Sequence, residues 1–186
     1  MKILFLAIQQ LLISKLTAYN LSYVRVWNNQ LERLLGGEIS DFALMNETGD
    51  TPAILIEFVS PATIEQLGNG DQIYNPFGIR LHILHQFYDA QNGTQDQDLV
   101  VLDIANDIYD VFQDWMPDTV TIDGNTYQVP VGVMVRTSEE WDYDHPDVYH
   151  FIQEYTTTWV DSRKNRPENG ILSDPNDTLT LNINPT

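Results

Sequence analysis

Two apolar runs flanking an acidic, aromatic segment constrain this chain more than any other feature. The first run is Val131-Gly132-Val133-Met134-Val135-Arg136-Thr137 and the second spans 148–161. Between them lies Ser138-Glu139-Glu140-Trp141-Asp142-Tyr143-Asp144-His145-Pro146-Asp147. Side chains alternate faces along a strand, so Tyr149, Phe151, Tyr155 and Trp159 share one face of the second run. Val148, Ile152 and Val160 take the other face, with His150, Glu154, Thr156 and Thr158. Pro146 and its polar neighbours interrupt pairing, so the spacing predicts an antiparallel return, with the turn at 138–147. An isolated two-stranded ribbon is not stable in water. This hairpin therefore lies on a core or reaches into a neighbour. With no other cover evident in the sequence, Tyr149, Phe151, Tyr155 and Trp159 are the expected subunit-interface residues.

The remaining periodicities supply the rest of a domain. Ile3, Leu4, Ala7, Ile8, Leu11 and Leu12 recur at helical spacing over 2–17, with Phe5, Leu6 and Ile13 on other faces. A short strand is expected at 23–27, a helical turn or two at 30–35, and a strand apolar on both faces at 53–59. A loop at 60–72 precedes a long strand over 73–88. The 98–116 helix carries Val101, Ile104, Ala105, Ile108, Val111, Phe112 and Trp115 on one face. Asp103, Asp107, Asp110 and Asp114 mark the other, and Pro117 ends it. Asp123-Gly124-Asn125 turns a hairpin between 119–122 and 126–129. The resulting fold class is α/β in the α+β sense: a mixed, mainly antiparallel sheet packed with two helices, a long C-terminal β-hairpin and an extended C-terminal arm. The division is a domain at 1–161 and an arm at 162–186, where proline and glycine break every period.

Composition narrows the function classes. Lys and Arg total 9 against 27 Asp and Glu, a formal charge of −18, so a basic nucleic-acid face is not expected. Such a charge serves solubility, or repels another polyanion. With no cysteine there is no disulfide, zinc-thiolate site or thiol nucleophile. Gln9-Gln10 interrupts the apolar start, which argues against a secretory signal, and no apolar run reaches membrane length. His82 and His85, three apart on a strand, fall on opposite faces and cannot share a metal. His145 and His150 lack a third ligand. The acidic segment has oxygens suited to calcium or magnesium, but lacks the glycine and final glutamate of the twelve-residue calcium loop. It reads as a solvated turn or an intersubunit contact. No nucleophile elbow, phosphate loop or dinucleotide fingerprint is present, so neither catalysis nor a cofactor is expected.

Several phrases carry a resemblance. They are Val26-Trp27-Asn28-Asn29-Gln30-Leu31-Glu32; Thr51-Pro52 before an apolar run ending Glu57-Phe58; the acidic Asp142-Tyr143-Asp144; and Thr157-Thr158-Trp159-Val160-Asp161. In this order, over roughly 1–161, they resemble the tail-terminator and tail-completion (neck) proteins of long-tailed bacteriophages. The resemblance implies a structural virion protein, assembled in the host cytoplasm and resident in the tail or neck. It implies a homo-hexameric ring that ends the tail tube and offers its other face to the head-proximal connector. DNA passes through the lumen without specific binding. Asp103, Asp107, Asp110, Asp114, Glu139, Glu140, Asp142 and Asp144 are the expected acidic lining. Partners would be further copies, the tail tube protein and a neck or connector protein, with no membrane. The alternatives are another head–tail adaptor or head-completion protein, or a carbohydrate-active or host-binding accessory protein.

Overall fold

The structure, a computed structural model, describes residues 1–19, 21, 23–28, 52–61, 63–67, 71–86, 95–142 and 148–161. The elements are α1 (Lys2–Lys15), a 3-10 turn at Thr17–Tyr19, β1 (Tyr23–Val26), β2 (Ala53–Val59), β3 (Ile64–Gln66) and β4 (Gln72–Gln86). They continue as α2 (Gln95–Phe112), β5 (Thr119–Ile122), β6 (Asn125–Gln128), β7 (Val135–Asp142) and β8 (Val148–Asp161). The main sheet runs β1-β2-β4-β8-β7, with β3 also paired to β4, while β5 and β6 form a separate hairpin. Among the described residues only the β1–β2 pair is parallel, so the sheet is mixed and mainly antiparallel, packed with two helices, as the sequence pattern predicts.

Both helices lie on one face of the sheet: α2 turns its apolar stripe inward, and α1, apolar on most sides, buries its Ile3–Leu4–Ala7–Ile8–Leu12 side. Ile3, Leu4, Ala7, Ile8 and Leu12 of α1 and Val101, Ile104, Ala105, Ile108 and Phe112 of α2 are buried in one core. They meet Val24, Ile54, Ile56, Ile79, Leu81, Ile83, Phe151, Tyr155 and Trp159 of the sheet. Burying such a side chain is worth about 1.5–3 kcal/mol, which sets the stripe, rather than helix propensity, as what holds these helices. Gln9 Nε2 donates to Val24 O at 2.8 Å and Gln10 Nε2 to Thr121 O at 3.0 Å, tying α1 to β1 and to the small hairpin. That hairpin turns through Asp123 (φ 51) and Gly124 (φ 83), left-handed conformations that favour Asn, Asp and Gly.

The second face of the sheet has a smaller apolar cluster, Ala53, Leu55 and Leu84, with Tyr23 and Trp27 packed against it. Around it the same face carries Glu57, Arg80, His82, His150 and Glu154, partners of one another. Gly78 stands opposite Val59 on this face, and a Cβ there would sit 2.9 Å from Val59 Cβ. The β4–β8 ladder is broken only between Tyr74 and Phe77, where Pro76 has no N–H to give.

Three boundaries differ from the sequence pattern. The turn expected at 138–147 is strand as far as Asp142, since Ser138 to Asp142 pair residue by residue with Glu154 to His150. An edge strand leaves one side open to solvent, so acidic residues do not end it. Residues 132–134 lie outside the strand, because Met134 instead exchanges backbone hydrogen bonds with Asp114 and Trp115. Those bonds also end α2 at Phe112, with Asp114 at φ 59. Finally, β3 falls inside the loop expected at 60–72. The expected helical turn at 30–35, Asp144 and the arm at 162–186 lie outside the described residues.

Candidate functional site

The residues expected to form a subunit interface are occupied within their own chain. Phe151, Tyr155 and Trp159 are buried, and Tyr149 is half-buried against the same core. Tyr155 meets Phe112 of α2 edge to face at 4.6 Å, and Trp141 of β7 meets Phe151 at 4.9 Å. Tyr155 also donates to Gln153 Oε1 at 3.0 Å, and Gln153 Nε2 donates to Ala105 O at 2.9 Å. This corrects the argument for the interface: α2 covers the aromatic face, so a lack of cover no longer assigns these four side chains to a partner.

The acidic residues separate into two settings. Asp103, Asp107 and Asp110 are exposed on α2, as the helical spacing requires, and Asp114, also exposed, lies beyond the helix end. Asp107 Oδ2 accepts from Tyr19 Oη at 2.7 Å; partial burial, and then this bond, raise the Tyr19 pKa. On β7, Glu139 and Glu140 are exposed and Glu139 pairs with Arg136 at 2.8 Å. The Arg136 guanidinium also lies 4.0 Å over the Tyr109 ring, linking β7 to α2. Asp142 is half-buried and Asp144 is not described. Because opposed residues in a ladder share a face, Glu139 points to the helix side with Gln153, whereas Glu140 and Asp142 point to the second face. Glu139, Glu140 and Asp142 of β7 therefore do not form one surface.

Asp142 belongs to a cluster that local sequence spacing does not reveal. Its Oδ2 lies 2.9 Å from His150 Nδ1, and His150 Nε2 lies 2.9 Å from His82 Nδ1. His82 Nε2 is in turn 3.3 Å from Glu57 Oε2. Glu57 and Glu154 hold Arg80 from either side, at 3.5 and 3.2 Å. Burial opposes the Arg80 charge, but the hydrogen bond and charge of Glu154, then Glu57, outweigh it and raise its pKa. Trp27 stacks on the His82 ring at 4.1 Å with planes 4° apart. Both histidines are buried, His82 at 4% and His150 at 2% exposure. Burial, then the like charge of His150, lower the His82 pKa to about 4. His85, on the other face of β4, is buried opposite Tyr149 and takes no part. The sequence signal for the cluster is polar residues at alternate positions of inner strands: Glu57 on β2, Arg80 and His82 on β4, His150 and Glu154 on β8.

Among the described residues, no group of three or more His, Asp or Glu is placed to hold a metal ion. Among the same residues, no helix is long and apolar enough to cross a membrane. No protein-family model matches this chain, and no curated protein matches it significantly.

Proposed function

We propose that this chain is a structural component of a tailed bacteriophage neck, a tail terminator whose copies close into a hexameric ring on the end of the tail tube. The observation that carries the reading is where the resembling phrases fall in the fold. Val26 closes β1 with Trp27 just beyond it, Pro52 leads into the buried β2 with Glu57-Phe58 near its end, and Thr157 to Asp161 close β8. The described parts of these three phrases fall on strands in the order the resemblance expects, which supports the reading. Asn29 to Glu32, Thr51, Tyr143 and Asp144 lie outside the described residues, and Asp142 is on β7 rather than in a turn. The mechanism is geometric: one ring face matches the last ring of the tube and the other does not, so polymerisation stops there.

With the aromatic face inside, subunits in this reading meet at the sheet edge. β7 is an edge strand among the described residues, and its first residue Val135 and the preceding Val133 are 46% and 43% exposed. The native mass of the chain, alone and mixed with the tail tube protein of the same particle, tests the reading. Six copies per ring are expected in at least the mixture. Monomers in both conditions would overturn the ring, and twelve copies would instead favour a head-completion adaptor. Val133→Asp with Val135→Asp should reduce the ring to monomers while leaving the circular dichroism spectrum unchanged.

A further inference from the structure

The histidine cluster poses a problem of proton count. Three close contacts run in series: Glu57 Oε2 to His82 Nε2, His82 Nδ1 to His150 Nε2, and His150 Nδ1 to Asp142 Oδ2, the last at ion-pair distance but not aligned as a hydrogen bond. Each is short enough to need a proton on one of its two atoms, since otherwise lone pairs face each other at close range. Two neutral imidazoles bring only two protons between them. One contact is then left without a hydrogen, inside a site where unmet polar groups are costly.

We propose that His82 and His150, with Glu57 and Asp142 at their outer ends, form a buried proton-binding site that holds one proton more than two neutral rings, and that this proton clasps β2, β4, β8 and β7 together. The surrounding charges favour it. Glu57 from β2, Asp142 from β7 and Glu154 from β8 face the pair's side of the sheet, where the guanidiniums among the described residues are Arg80 of β4 and the exposed Arg25 of β1. From β7, Glu140 shares this face and is exposed. From β1, Arg25 lies over Tyr23 at 5.5 Å, and Trp27 just beyond β1 presents its ring face to His82. An aromatic face attracts a cation, so Trp27 stabilises the charged ring. A second proton is resisted, because burial and the first charge both oppose it, consistent with a lowered His82 pKa of about 4. The pair titrates as a unit, and its singly charged form is the one that fills all three contacts.

Side-chain nitrogen-15 shifts of the two histidines, read by NMR near pH 7, test this directly. Three protonated ring nitrogens are expected in the native protein, whereas two or four would overturn the proposal. Asp142→Asn supplies an N–H donor to His150 Nδ1, so two neutral rings then fill every contact. The count should fall to two, as it should in Glu57→Gln, where the amide donates to His82 Nε2. Three protonated nitrogens persisting in either variant would also overturn the proposal. If neither variant folds, the native count decides alone.

Discussion

Gln153 is 1% exposed and joins two elements through one amide, donating to α2 and accepting from Tyr155. Gln153→Ala leaves the buried Tyr155 hydroxyl without its acceptor and opens a small void. A loss of about 2–3 kcal/mol is expected from urea midpoints, against the smaller cost usual at exposed sites. A change within 0.5 kcal/mol would show that water replaces the amide. Gly78→Ala should also destabilise, by about 1–3 kcal/mol, because the new Cβ meets the Val59 side chain with no room to retreat along the ladder. Entry of the second proton into the His82–His150 pair, which the lowered His82 value reports, adds a pH dependence of fixed sign in the acid range. The folded pKa, about 4, is below the unfolded value near 6.5, so the unfolded chain binds this proton more readily. The contribution is present above pH 6.5 and is lost as pH falls toward 4, at up to about 1.4 kcal/mol per pH unit. The stability difference between the native chain and His82→Gln should therefore shrink across that window. A constant difference would show that His82 does not titrate there.

Elements with strong alternation or a wide apolar stripe were legible in the sequence. α1, α2, β2, β4 and β8 follow directly from the burial of one face. What escaped local reading was decided by pairing across the chain. The acidic run Ser138 to Asp142 looks like a solvated turn until β8 is seen to pair with it, and the short, wholly exposed β3 has no apolar signal at all. The histidine contact spans 68 positions and forms because His82 and His150 are diagonal neighbours on one face of β4 and β8. No spacing within either strand could announce it. The sheet order also predicts where the fold is most resistant to opening. β4 and β8 are paired on both sides and lie at the centre of the core, so their amides should exchange with solvent only through global unfolding. Those of β5 and β6, a separate two-stranded hairpin, should exchange faster. Equal protection in both regions, by hydrogen exchange, would contradict this hierarchy.

At the scale of the whole molecule, the formal charge of −18 has to be placed in space. Asp103, Asp107 and Asp110 of α2, with Asp114 just past its end, form a dense exposed acidic row, and like charges three and four apart on a helix repel mildly. In the proposed ring this row faces the duplex. An acidic wall would release no counterions to DNA and would leave it centred and free to slide, with screening confining the effect to roughly 8 Å. Asp107 is engaged by Tyr19, and Asp114 is in a left-handed conformation, so Asp103 and Asp110 are the positions to change. Asp103→Lys with Asp110→Lys should leave the fold intact while giving the ring affinity for short duplex DNA at low salt. Fluorescence anisotropy against salt concentration should show that binding weakening steeply as salt rises, the mark of phosphate contacts. If the intact ring carrying both lysines ignores DNA at every salt concentration, the α2 row lies on the outer wall, and solubility alone accounts for the acidity of this chain.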